Sequence, residues 1–240
     1  MLKLLLGVVM FRNNCKTIRE SIYGVLCQSP GKSNEVSFGN GTAFMVAPGI
    51  CVTAAHVLHM DGDRSKPLHK KIEVIRAPEI GHAMLQAKLI AEDINRDLAI
   101  IEIIKPHNTS SLTLYKSKID NGTSCGALGF PLAVVSIIRN QISFNLVERF
   151  QGSHISAFQK YALPNNIYLD YYETDAVVYG GSSGCPGFTT DEKIFGMVIG
   201  TAMDEHSNSK SSRLAISRWV PSMDIIAFAK SNGIKELKID

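Results

Sequence analysis

The chain has 240 residues, 45% of them hydrophobic, with 25 Lys and Arg against 22 Asp and Glu for a net charge of +3. The apolar content excludes a disordered chain, and the length suits one large domain or two small subdomains that share an interface. Basic residues are scattered among acidic ones with no dense stripe, which excludes nucleic acid as the expected partner.

In chain order, "MLKLLLGVVMFRNNC" (1–15) places one lysine before a short apolar run, with no small-x-small cleavage pattern after it. It is too short to span a bilayer as a helix and reads as part of the folded chain. No later segment reaches spanning length without a charge, so the sequence predicts a soluble protein with no membrane span. The other apolar segments are short, rich in Val, Ile, Phe and Tyr, and bounded by Gly, Pro, Asn or Asp. They cover 21–28, 41–49, 71–77, 83–93, 98–104, 126–130, 141–150, 167–179, 193–203 and 213–219. Several alternate with period two, as half-buried strands do, and their close spacing predicts a mainly antiparallel, all-β barrel or sandwich. Two segments break the pattern. "TAAHVLHM" (53–60) suits one or two helical turns. "SMDIIAFAKSN" (222–232) predicts a helix with Ser222 as N-cap and Gly233 just past its end. The polar, turn-rich stretch 105–124 is the candidate connection between two β subdomains.

Five cysteines (Cys15, Cys27, Cys51, Cys125, Cys185) without CxxC spacing argue against a zinc site and against a full disulfide framework. Free, mostly buried thiols are expected, with a single bridge such as Cys27–Cys51 left open. Neither a metal nor a cofactor is expected, and oligomeric state is not readable.

Three segments belong together. "GICVTAAHV" (49–57) is an apolar strand that ends in small residues before His56. "DINRDLAIIEI" (93–103) sets Asp97 against an apolar strand. "YETDAVVYGGSSGCP" (172–186) holds Ser183 in a glycine-rich loop. A serine hydroxyl is a weak nucleophile at neutral pH, and a neutral imidazole can take its proton during attack and return it to the leaving group. A carboxylate on the other ring nitrogen fixes the tautomer and stabilises the imidazolium. Glycines let backbone N–H groups approach a developing oxyanion, each donor contributing about 3–4 kcal/mol, and here Gly181 and Ser183 would donate. Each segment alone also fits an ordinary turn. Five other histidines (His69, His82, His107, His154, His206) lie in polar or turn contexts and read as surface groups. His59 reads as solvent-facing or locally packed.

"TAAHV", "RDLAIIEI" and "GGSSGCP", in that order, resemble the catalytic segments of trypsin/chymotrypsin-fold serine proteases, closest to the HtrA/Deg-like branch. "GTAFMVAPG", "GALGFP", "GMVIGTA" and the Thr174-Asp175-Ala176 spacing extend the resemblance over roughly residues 20 to 232. It implies two packed six-stranded β-barrels, at about 20–107 and 122–218, and a closing helix at 222–232, in one protease domain. His56 and Asp97 would come from the first barrel and Ser183 from the second. Where zymogen-activated relatives carry an aspartate this chain has Ser182, so proteolytic activation is not expected. The PDZ module usual in the branch is not expected after the helix. Cys185 departs from the usual glycine and reads as a packed loop residue rather than a nucleophile.

The resemblance also places Val177 and Val178 on one wall of the substrate pocket and Ile199, Gly200 and Thr201 on the other. That lining favours small or apolar side chains before the scissile bond, because a cation would find no counter-charge. Asp175 reads as a structural hydrogen-bonding group. The expected activity is therefore hydrolysis of polypeptide substrates through an acyl-enzyme. The alternatives are a latent or non-catalytic protease-fold protein used for binding or regulation, and an esterase or other acyl transferase using the same groups. The unpatterned cysteines and weak leader point to the cytoplasm, whereas relatives often work outside it.

Overall fold

A computed structural model describes residues 2–30, 36–76, 84–106, 109–138, 141–204 and 212–240. A helix, α1 (Leu2–Arg19), leads into two closed antiparallel barrels of six strands each. The first contains β1 (Ile22–Pro30), β2 (Val36–Ala47), β3 (Ile50–Thr53), β4 (Lys71–Arg76), β5 (Met84–Asp93) and β6 (Leu98–Ile103), in the order β1-β2-β3-β6-β5-β4. The second contains β7 (Ser124–Gly129), β10 (Arg149–Leu163), β11 (Ile167–Thr174), β12 (Pro186–Thr189), β13 (Ile194–Asp204) and β14 (Ser212–Pro221), in the order β10-β11-β14-β13-β12-β7. A hairpin of β8 (Val134–Ile138) and β9 (Gln141–Asn145) projects between β7 and β10 in sequence. Closure removes the exposed edges that such short strands would otherwise leave.

Inward positions of the first barrel carry Val25, Met45, Val74 and Ile101, all without solvent exposure. Burial of each such side chain contributes about 1.5–3 kcal/mol relative to leaving it in water. In the second barrel Phe195 packs against both Tyr172, edge to face, and Trp219, and the indole N–H of Trp219 donates to Ser217 Oγ at 2.9 Å. The burial of so large an aromatic is thereby compatible with its polar nitrogen.

Several local expectations are refined. The histidine-bearing segment forms one helical turn, α2 (Ala55–Leu58), and the closing helix is α3 (Ser222–Ser231). Ser222 is not its N-cap: Pro221 holds that position, and the Ser222 hydroxyl donates to the Tyr115 carbonyl at 2.6 Å, tying the helix to the inter-barrel connection. The 167–179 segment is a strand only to Thr174, and the 141–150 segment splits into β9 and the start of β10. Residues 2–15 of the N-terminal stretch lie within α1. Phe11 contacts Phe150 and Phe188, and Asn14 Nδ2 donates to the Thr189 carbonyl at 3.2 Å. Among the described residues no helix is long and apolar enough to cross a membrane.

His69 is not a surface group. It is 4% exposed, because Gly39, lacking a side chain, leaves room for its ring. His59 is also buried, with Nδ1 donating to the Lys66 carbonyl at 2.6 Å and Nε2 2.9 Å from Glu92. His154 is exposed, while His82, His107 and His206 lie outside the described residues. All five cysteines are free, four of them buried, so there is no Cys27–Cys51 bridge.

Candidate active site

The pairing of β3 with β6 brings the first two candidate residues together. Thr53 faces Ala99, so the chain leaving β3 runs beside the chain entering β6. Ala55 N–H donates to the Asp97 carbonyl at 3.1 Å, and His56 N–H donates to Asp97 Oδ1 at 2.8 Å. Asp97 has φ 58°, a left-handed conformation that Asp adopts more readily than most residues, and this turns its carboxylate under the α2 turn. Its second oxygen lies 2.6 Å from His56 Nδ1, and Asp97 is 6% exposed. The other ring nitrogen, Nε2, lies 2.8 Å from Ser183 Oγ. Tyr171 on β11 is buried nearby. Desolvation first, and the Asp97 charge next, push its phenol up to about 12, so it stays neutral beside the carboxylate.

Backbone bonding in the 180–185 loop defines its chemistry. The Ser182 N–H donates to the Tyr179 carbonyl at 2.9 Å, closing a turn in which Gly181 has φ 89°. A β-carbon at Gly181 would also stand 2.5 Å from the Phe130 carbonyl oxygen, so glycine is required twice over. The Gly180 carbonyl accepts the Leu132 N–H at 2.7 Å, and the Ser182 carbonyl accepts the Cys185 N–H at 2.8 Å. Because a trans peptide sets its N–H opposite its C=O, these bonds orient the N–H groups of Gly181 and Ser183 away from Leu132 and Cys185 respectively. Among the described residues neither N–H has a protein acceptor. Two unpaired donors beside a hydroxyl are what an anionic oxygen needs.

Cys185 is fully buried, with its sulfur in the space that a side chain at Gly129 would fill. Burial pushes its thiol up to about 12, against weaker opposing hydrogen bonds from Thr42 and the Phe130 backbone. It is a packing group under the loop, and the departure from glycine is matched by glycine at position 129.

A cavity of about 190 Å³ lies against the same loop, lined in part by Phe150, Gln151, Val178, Tyr179, Ser182 and Val198. Of the five expected pocket residues only Val178 lines it. Val177 is half-buried and its carbonyl accepts Gln151 Nε2 at 2.6 Å. Ile199, Gly200 and Thr201 are half-buried on β13, where Thr201 Oγ1 donates to the Val178 carbonyl at 3.3 Å and so joins the two expected walls. The register of β13 against β14 shifts between Val198 and Gly200, and Val198, before the shift, lines the cavity. Gln151, Phe150 and Leu132 went unrecognised in the sequence, since a backbone N–H and long-range wall contacts leave no local pattern. Among the described residues no cluster of His, Cys, Asp and Glu is suited to a metal ion.

The geometry agrees with three comparisons. A sequence profile of the trypsin-like peptidase domain matches residues 41–197, well over half of the chain. The chain is 28% identical over 114 residues to a probable periplasmic serine endoprotease, DegP-like, of Halomonas elongata; the match covers 47% of this chain but only 21% of that relative, so the two share a portion of the longer protein. Among solved structures, the active form of the Rv3671c protease from M. tuberculosis superposes with a TM-score of 0.72 at 16% identity, covering 95% of this chain and 88% of that one. The inactive form gives 0.67 at 16% identity, with coverage of 94% and 95%. The shared architecture is the two-barrel trypsin fold, and the chain belongs to the family of trypsin-like peptidase domains.

Proposed function

We propose that this chain is a serine endopeptidase in which Ser183 is the nucleophile, His56 the general base and then acid, and Asp97 the group that orients His56. The observation that carries the reading is the continuous contact from Asp97 Oδ2 through His56 Nδ1 and Nε2 to Ser183 Oγ, at 2.6 and 2.8 Å. Both distances lie within hydrogen-bond reach, and the second suits transfer of the Ser183 proton to His56. Attack of Oγ on a peptide carbonyl would pass the hydroxyl proton to Nε2. The carbonyl oxygen, now negative, would rest on the N–H groups of Gly181 and Ser183. Nε2 would then protonate the leaving amine, and water would reverse the sequence to release the acyl group.

The two barrels are read as one protease unit extending over the chain, with α3 closing it. Phe150, Val178 and Val198 in the cavity wall, with no carboxylate among the described lining residues, support a preference for small or apolar side chains before the scissile bond. The bond from Leu132 to the Gly180 carbonyl supports an active enzyme over a binding-only relative, whose hole would be closed by that carbonyl.

The test is labelling of the full chain with a fluorophosphonate probe, alongside turnover of peptide and ester substrates. Labelling at Ser183, abolished in Ser183→Ala with a loss of about six orders of magnitude in turnover, is the expected result. A folded wild-type protein that neither labels nor turns over substrate overturns the reading. Turnover of esters without peptides would redirect it to an esterase.

A further inference from the structure

Thr42 lies in the middle of β2, in the first barrel, and is fully buried. All its polar atoms are engaged, and its bonds to Ser183, Gly181 and Phe130 cross to the second barrel. Its backbone N–H donates to the Ser183 carbonyl at 2.8 Å, and its hydroxyl is 2.9 Å from the Gly181 carbonyl. The same hydroxyl oxygen accepts the Phe130 N–H at 3.1 Å. A hydroxyl has one proton, and with Phe130 supplying its own, that proton is free to be donated to Gly181. The Thr42 carbonyl in turn accepts the hydroxyl of Thr53, on β3, at 2.7 Å.

The consequence lies in which carbonyls are held. The two N–H groups left without acceptors belong to Gly181 and Ser183, and Thr42 binds the carbonyls of those same two residues. Fixing a residue's C=O fixes its ψ, and the neighbouring bonds from Leu132 and Cys185 fix the peptide on its other side. Each donor is thus clamped from both flanks. One flank in each case is supplied by Thr42. Thr53 stands three residues before His56, so one run of bonds links the strand that carries the base to the loop that carries the nucleophile.

We infer that Thr42 is a positioning residue for the oxyanion site, its hydroxyl and N–H holding Gly181 and Ser183 so that their N–H groups converge on the reacting oxygen. The inference rests on the serine-hydrolase reading above. Thr42 touches neither His56 nor Asp97 through any of these bonds, and acts through the loop alone.

The experiment compares Thr42→Val, which keeps the shape but removes the hydroxyl, with Thr42→Ser, which restores it. In the full chain T42V is expected to lower kcat about 10–100-fold, a fraction of the effect of deleting a donor outright, with KM within about threefold of wild type. T42S is expected to retain at least half of the wild-type kcat. Inhibition by a peptide aldehyde, whose hemiacetal oxygen enters the hole, should weaken in T42V by the same factor as kcat. Binding of the corresponding peptide alcohol should not change. A T42V kcat within threefold of wild type, or equal losses in T42V and T42S, overturns the inference. If T42V does not fold, Thr42→Ala takes its place with the same expectations. Fluorophosphonate labelling separates the two levels. A wild-type protein that does not label removes both the hydrolase reading and this inference. Equal labelling rates in wild type and T42V remove the inference alone.

Discussion

His56 Nε2 lies 2.8 Å from Ser183 Oγ, although 127 positions separate the two residues and each belongs to a different barrel. The contact exists because Asp97 holds the imidazole from below, accepting both the His56 backbone N–H and Nδ1. An asparagine at 97 would keep the left-handed backbone, which Asn tolerates, but would present an amide N–H to Nδ1 and stabilise the wrong tautomer. Asp97→Asn is therefore expected to fold normally and to lose about 10⁴-fold in kcat. Activity within tenfold of wild type, at an unchanged melting temperature, would show that Asp97 has no orienting role.

Gly184 has φ 88°, and a β-carbon there would fall on the Thr42 carbonyl oxygen, a backbone atom that cannot rotate away. Gly184→Ala is expected to destabilise the fold by about 3 kcal/mol or more, since left-handed strain and a backbone collision add. In a chain of this size that corresponds to a melting temperature lower by roughly 6–12 °C. Gly152→Ala is the control. Gly152 has ordinary contacts with Phe150 and no positive φ, and its melting temperature should stay within about 2 °C of wild type. Equal shifts in the two variants would refute the steric account.

The thiols give a third expectation. Desolvation is the largest cause of a raised pKa for all five cysteines: to about 12 for Cys27, Cys125 and Cys185, higher still for Cys51, and to about 11 for Cys15. Thiolate, the reactive form, is scarce in every one of them at pH 8. Titration of the native protein with a disulfide reagent should modify Cys15, the half-exposed one, first, and the other four only on unfolding in guanidinium. Addition of a reductant should leave the melting temperature unchanged. Rapid modification of four or more native thiols would contradict this burial.

The parts of the fold that were legible in the sequence are those with a local chemical signature. The buried strand after Asp97, the small residues before His56 and the glycines around Ser183 each mark themselves within a few positions. β10 did not, apart from its first two residues. Its fifteen residues include a single fully buried position, Ile155, and its charged and polar side chains conceal the alternation. β8 was missed for a similar reason, as a short hairpin arm with Val134 exposed. Thr42 and Leu132 shape the Ser183 loop through one hydroxyl and two backbone N–H groups, which any strand or turn residue also possesses. Only the approach of the two barrels reveals what those groups bind. His69 misled for the opposite reason. Two lysines follow it directly, and the space that buries it comes from Gly39, thirty positions away.

Asp175 offers a test of stability against pH. Its Oδ1 accepts the Ser153 hydroxyl at 2.6 Å and the His154 N–H at 2.8 Å, and these bonds, in that order, hold its carboxyl below the usual carboxylate range. A carboxyl whose folded pKa is depressed stabilises the native state at pH values above its unfolded pKa of 3.8, and that contribution is lost as the pH falls through the folded value. The side chain is 57% exposed, so solvent screening limits the contribution to about 0.5–1 kcal/mol. Asp175→Asn is expected to lower the melting temperature at pH 7 by roughly 1–3 °C, with the gap to wild type closing once the pH falls well below 3.8. Because the carboxylate is committed to β10, the relative turnover of substrates with alanine, valine or lysine before the scissile bond should be unchanged. A gap that persists at low pH would assign the loss to packing rather than charge. A change in substrate preference would instead make Asp175 part of the pocket.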